Sequence, residues 1–225
     1  MPIVVDVEEQ PLTEYSVDDR PMVLFAGSPA YDETINFIFA AMKQVWQRVP
    51  DCRLVVTGAN PGVPAARWLL SEGHREGADP RVRIAGYVSR AELLALYQSA
   101  RALLIPLFDD VRSNARFPTK IGEYLASARP IVTTAVGEIP RYFEDGVNAV
   151  VCPPGDSAEY ADRIVAILSD PGLAASIGRE GRRLAETRFH YSLYSETLHR
   201  GFAAVASTSP SANRSSRGAR EKLRS

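Results

Sequence analysis

Long apolar runs are missing from this chain. No stretch approaches the ~18 consecutive apolar residues of a membrane span. The start, MPIVVDVEEQ, has neither the basic region nor the apolar length of a signal peptide. Cysteine is scarce: Cys52 and Cys152 lie far apart, outside any C-x-x-C, each within an apolar run, as expected of buried free thiols in a reducing compartment. Three histidines, His74, His190 and His199, fall at no metal-ligand spacing. A net charge of −1 argues against a nucleic-acid binder driven by phosphate attraction. G-x-G-x-x-G is absent, which removes the nicotinamide-cofactor fingerprint, and the P-loop pattern and the G-x-S-x-G elbow are absent too. The expected location is cytoplasmic, with at most peripheral contact at the inner membrane surface.

What is present is an ordinary globular composition, 45% hydrophobic and 24% charged over 225 residues. Charge is uneven at the ends. Residues 1–20 hold six acids against Arg20, and residues 207–225 hold five bases against Glu221. Both read as arms without apolar periodicity. The expected organisation is a flexible acidic arm over 1–20, one domain over 21–206 and a disordered basic tail over 207–225.

Within the domain, apolar runs alternate with helical spacing. Strands are expected at 22–27, 52–58, 82–88, 101–107, 130–136 and 148–153. Helices are expected at 33–48, around 68–74, and at 89–100, 118–128, 140–144, 156–169, 171–187 and 191–206. Ser89 with Glu92 three residues on has the spacing of a capping box. Runs such as VLFA, LVV and ALLI suit strands covered on both faces. The fold class is therefore α/β, a doubly wound, Rossmann-like parallel sheet of about six strands. Ligands in such folds bind beyond the carboxyl ends of the strands. The polar stretch 108–117 and the loops at Gly27, Gly58, Gly86 and Gly137 should gather on that rim.

The stretch FPTKIGEYLASARPIVTTAVGEIP, residues 117–140, concentrates the chemistry. Pro118 suits a first helical turn, whose free N–H groups can seat phosphate, with Thr119 beside it and Lys120 adding a charged donor. Glu123 follows at i+3, on the same face, as an acceptor for the hydroxyls of a ribose. Arg116 and Asn114, just ahead, supply further donors. The same spacing also fits an exposed Lys–Glu pair worth a few tenths of a kcal/mol.

The segment FPTKIGEYLASARPIVTTAVGEIPRYFEDGVNAVVCPPGD resembles the donor-binding half of retaining glycosyltransferases of the GT-B fold, group 1 (family 4). VLFAGSPAYDETINFIFAAMKQVWQRVPDCRLVVTG and RVRIAGYVSRAELLALYQSARALLIPL are similar to its opening and middle, so the resemblance covers about residues 20–205. It implies a nucleotide-diphosphate sugar as donor, a role in polysaccharide or glycoconjugate synthesis, and no metal or other cofactor. It implies that Glu123 binds the ribose, that the turn before it seats the diphosphate, and that Tyr87 and Val88 lie near the base. Gly27 and Ser28 follow the first strand, where the family often has an arginine and a lysine, here missing. The first glutamate of the family's paired motif is Ala115, and a glycine of the helix end is Ala128. The acceptor domain, which normally comes first, is not expected in this chain. Partners are then an acceptor-domain chain, or a second copy through the exposed domain face. The competing expectation is a non-catalytic binding module, and a third is a sugar-nucleotide epimerase of the same fold.

Overall fold

A computed structural model describes residues 3–14, 20–27, 32–58 and 79–208. The expected helix at 68–74, Ser28 and the tail beyond 208 lie outside the described residues. Residues Met1–His190 belong to one compact unit and Tyr191–Ser225 to a second, whose described part is the helix Ser192–Thr208.

In the first unit the strands are β1 (Met22–Ala26), β2 (Arg53–Thr57), β3 (Val82–Gly86), β4 (Ala102–Ile105), β5 (Ile131–Thr134) and β6 (Val150–Cys152). The helices are α1 (Asp32–Arg48), α2 (Arg90–Ser99), α3 (Val111–Asn114), α4 (Lys120–Ala126), α5 (Ile139–Tyr142), α6 (Ser157–Ser169) and α7 (Pro171–Leu184). The strands pair in parallel in the order β3-β2-β1-β4-β5-β6. This is the doubly wound arrangement expected from the alternating pattern, and every residue of β1, β4 and β5 is buried.

Strand periodicity divides the core in two. Val23, Phe25, Leu54, Val56 and Leu104 face one way, against Ile35, Ile38 and Met42 of α1 and Tyr160, Ile164 and Ile167 of α6. Leu24, Ala26, Val55, Leu103 and Ile105 face the other way, against Tyr97 of α2 and Ile121, Tyr124 and Leu125 of α4. The capping box at Ser89 is present, with both reciprocal hydrogen bonds.

Four elements differ from expectation. First, residues 3–14 are not a free arm. Val5 and Val7 are buried in the second core, and the Val5 N–H donates to the Phe189 carbonyl at 2.8 Å. The apolar alternation of IVVDV places these two valines on one side, which drives the segment onto α4 and α7. Second, the polar stretch 108–117 contains α3, because the Asp110 carboxylate caps it by accepting from the Ser113 N–H at 2.6 Å. Third, the helix expected to run to 187 ends at Leu184 and closes in a π-turn over Ala185–Phe189. The wider turn brings Phe189 into the core, stacked on Phe117 with ring centroids 5.7 Å apart.

Helix α4 is also shorter than the expected 118–128, because Ala128 turns left-handed, with φ 57°. An alanine there costs up to about 1 kcal/mol relative to glycine. Ala128→Gly should therefore raise stability by roughly 0.5–1 kcal/mol. Urea denaturation would read this directly, and a lowered midpoint would contradict the strain.

Candidate functional site

The sheet order reverses direction between β1 and β4, and a crevice opens at their carboxyl ends, where doubly wound folds bind ligands. It is a cavity of about 400 Å³. Phe25, Ala26 and Gly27 line it from β1, Thr34 from α1, Ile105, Pro106 and Leu107 from β4, and Arg116, Phe117, Pro118, Thr119 and Lys120 from the approach to α4.

Local chemistry explains the opening. Pro106 has no N–H, so the backbone ladder to β5 stops at Ile105. The Thr134 hydroxyl takes over beyond it, accepting from the Leu107 N–H at 2.8 Å and donating to the Leu107 carbonyl at 2.6 Å. On the other wall, the Ala26 N–H donates to the buried Tyr124 hydroxyl at 2.8 Å, which ties the end of β1 to α4. Gly27 turns close over Phe25: a Cβ there would stand 2.7 Å from the ring.

Of the residues the sequence singles out, Gly27, Arg116, Pro118, Thr119 and Lys120 meet in this cavity. Asn114 is not among its lining residues. Its Oδ1 accepts from the Gly137 N–H at 3.1 Å and its Nδ2 donates to Asp109 at 2.7 Å, so it braces the loop after β5 against α3. Tyr87 and Val88 follow β3, two places from β1 in the sheet, and Tyr87 is 78% exposed. Pro118 and Thr119 precede α4 rather than beginning it. Their carbonyls accept from the N–H groups of Ile121 and Gly122, at 3.1 and 3.3 Å. The first turn therefore spends two of the N–H groups expected to face phosphate, leaving those of Thr119 and Lys120.

Glu123 does not line the cavity either. It stands behind Lys120 in a network that joins the N-terminal segment, α2 and α4. Its Oε1 accepts from Arg90 Nη1 at 2.7 Å. Its Oε2 accepts from the Tyr97 hydroxyl at 2.8 Å and from Lys120 Nζ at 3.0 Å. Arg90 in turn donates through Nε and Nη2 to the carboxylate of Glu9, at 2.9 and 2.5 Å. Gln10 donates to the Glu123 carbonyl at 2.8 Å. The i,i+3 ion pair read from the sequence exists, but with the Glu123 side chain only 24% exposed it is half-buried rather than solvated. Arg90, Tyr97 and Glu9 escape sequence reasoning. Tyr97 looks like core spacing, and Arg90 like the exposed first residue of a capped helix.

The network decides the charge of its members. Burial pushes the Glu123 carboxyl up, yet hydrogen bonds from Lys120, Tyr97 and Arg90 outweigh it and hold the group below its ordinary value. Burial raises the Tyr97 phenol well above its ordinary value, so it stays a donor. A carboxyl lowered in the folded state contributes stability that is complete above the unfolded value of about 4.3 and is lost as the pH falls through the folded value. Glu123→Gln should therefore flatten the acid limb of stability below about pH 4.5. Urea melts at several acidic pH values would show it, and parallel slopes for the two proteins would contradict the assignment.

Among the described residues, no group of three or more His, Cys, Asp or Glu is placed to hold a metal ion. No helix among them is long and apolar enough to cross a membrane.

The family model described as Glycosyl transferases group 1 matches residues 20–170. The chain belongs to the group 1 glycosyl transferases. This family member is 26% identical over 184 residues to the alpha-D-kanosaminyltransferase of Streptomyces kanamyceticus, covering 82% of this chain and 46% of that protein. It is 31% identical over 172 residues to the D-inositol 3-phosphate glycosyltransferase of Xylanimonas cellulosilytica, covering 76% and 39%. The group 1 chain thus spans less than half the length of these relatives. Its fold is that of the sucrose-phosphate synthase of Thermosynechococcus elongatus, with TM-score 0.75 and 20% identity over 92% of this chain and 52% of that one. It also matches the C-terminal domain of a group 1 glycosyl transferase from Francisella tularensis (TM-score 0.68, 19% identity, 83% of this chain and 98% of that one). A third similar structure is Anabaena HepE in complex with UDP and glucose (TM-score 0.71, 18% identity, 89% and 55%).

Proposed function

We propose that this chain is the donor-binding domain of a retaining glycosyltransferase and takes a nucleotide-diphosphate sugar in the crevice between β1 and β4. The observation that carries this reading is the charge of the cavity. Its described lining holds two cations, Arg116 and Lys120, and no carboxylate. A concave apolar site with two converging cations favours an anion joined to a larger organic group. HepE, of the same fold, was solved with UDP and glucose.

In this reading the diphosphate lies against Lys120, Arg116 and the N–H groups of Thr119 and Lys120. As the bond to the anomeric carbon breaks, positive charge builds on the sugar and negative charge on the departing diphosphate. The two side chains and the N–H groups stabilise that leaving group electrostatically. Glu123 takes ribose hydroxyls. A carboxylate offers about four acceptor positions, and three are used by Arg90, Tyr97 and Lys120. One remains open, and a second opens when Lys120 turns to the diphosphate. Tyr87 and Val88 form the side nearest the base. Catalytic groups that act on the acceptor come from a partner domain, and the reading assigns no metal.

The second reading is a non-catalytic module, favoured by Ala115 in place of the family's first glutamate. Titration calorimetry with UDP, GDP and their sugars separates the two from a fold without a site. Saturable binding weakened about tenfold or more by Lys120→Ala is the expected result. A folded protein silent toward every nucleotide would sink the donor reading. Binding without glycosyl transfer, once an acceptor domain is supplied, would favour the module.

A further inference from the structure

The lining of the cavity ends at Lys120, but the charges behind it do not. Glu9, Arg90, Glu123 and Lys120 form a line of alternating sign that starts on the N-terminal segment and finishes at the cavity wall. Their sum is zero. If Glu123 paired with Lys120 alone, the lysine of the described lining would be neutralised before any ligand arrived.

Arg90 shares that carboxylate. Its guanidinium is fixed on one side by a two-pronged bond to the Glu9 carboxylate. From that anchor its remaining arm takes Oε1 of Glu123 at 2.7 Å, closer than Lys120 Nζ comes to Oε2. The Tyr97 hydroxyl donates to the same Oε2 at 2.8 Å, so Lys120 holds the weakest share of this carboxylate. An ammonium has three donors. Among the described residues, its hydrogen-bond partners here are Glu123 Oε2 and, at 3.3 Å, the Tyr97 oxygen.

We propose that Arg90, although outside the cavity, is a positioning residue for its anion site: by drawing the Glu123 carboxylate toward itself and Glu9, it leaves the Lys120 ammonium available to a diphosphate. The inference rests on the reading of the cavity as a diphosphate site. Without Arg90, Glu123 closes on Lys120, and the anion must compete with an internal carboxylate.

The test is a double-mutant cycle on the binding of inorganic pyrophosphate, a probe that carries neither ribose nor base. Calorimetry at one fixed salt concentration compares the wild type, Arg90→Ala, Glu123→Gln and the double variant. Arg90→Ala should weaken pyrophosphate about fivefold. Glu123→Gln removes the competitor, so binding should stay equal or tighten, and in that background Arg90→Ala should have no effect. A loss from Arg90→Ala that persists beside Glu123→Gln would overturn the proposal, because Arg90 would then act on the ligand or on the fold by another route. An unchanged affinity in Arg90→Ala, with Lys120→Ala still damaging, would overturn it while leaving the diphosphate reading intact. Absence of wild-type binding to both pyrophosphate and UDP would overturn both. Should Arg90→Ala fail to fold, Arg90→Lys carries the same cycle, since one ammonium lacks the fork that reaches both carboxylates.

Discussion

Gly178→Ala should lower the melting temperature by roughly 6–12 °C, the shift that about 3 kcal/mol produces in a domain of this size. Gly178 sits in the middle of α7, where glycine is otherwise a poor choice. A Cβ on it would stand 2.1 Å from the Ala128 carbonyl oxygen and 2.8 Å from its carbon. Both obstacles are backbone, and the backbone there is already committed to a left-handed turn. Relief would need α7 to move away from α4, and with it Ala174 and Ile177, which pack in the first core. Gly181 is one turn on, with Asn148 O 3.0 Å from its virtual Cβ, so the helix has little room to rotate instead. Gly201, in the helix Ser192–Thr208, is the control: a Cβ there meets nothing within 4 Å. Gly201→Ala should be neutral or slightly stabilising on helix propensity alone. Equal melting shifts for the two substitutions would mean that close approach is not what Gly178 provides.

Arg129→Met should cost roughly 1.5–3 kcal/mol, because it removes the charge-assisted hydrogen bonds made by a buried guanidinium. Arg129 is 3% exposed. Its Nε donates to the Gln98 carbonyl at 2.9 Å, and its Nη2 donates to the Thr13 hydroxyl at 2.8 Å and to the Glu14 carbonyl at 3.1 Å. One guanidinium thus fastens the end of the N-terminal segment to the end of α2 and the entry to β5. Methionine keeps the length of the stem and deletes the fork. Besides the lower midpoint, the segment 3–14 should become cleavable by protease under native conditions, while the sheet persists. Its other fastenings include Val5 to Phe189, Arg182 to the Gln10 carbonyl, Gln10 to the Glu123 carbonyl and Glu9 to Arg90 in the nearer part, and Thr13 to Gln98 beside Arg129 itself. A variant with an unchanged midpoint and an intact segment would show that these suffice and that Arg129 adds little.

The sequence by itself determined the elements and their class. Apolar runs of four or five residues bounded by glycine or proline suit covered strands, and their alternation with amphipathic helices leaves a parallel sheet as the economical packing. Ser89 and Glu92 announced the start of α2, because a capping box is a local exchange of hydrogen bonds. Ala128 stood out because the family that the sequence resembles has glycine there, and the strain is there in its φ of 57°. That Lys120 and Glu123 share a face followed from helical spacing and needed no tertiary information.

What those two residues do was decided by tertiary structure. Glu9, Arg90 and Glu123 are 81 and 33 positions apart in successive pairs, so no periodicity could join them. Sheet order brings them together: α2 and α4 cover the same face, and Val5 and Val7 draw the acidic N-terminal segment across it. Counting its charges suggested a solvated arm, whereas burial of two valines outweighs them. The cavity belongs to the same level of organisation. It exists where β1 and β4 diverge, and Arg116 and Lys120 meet Gly27 there because the order of strands reverses at that point. Local chemistry sets each element, but the charge presented to a ligand is a sum over residues that only packing makes neighbours.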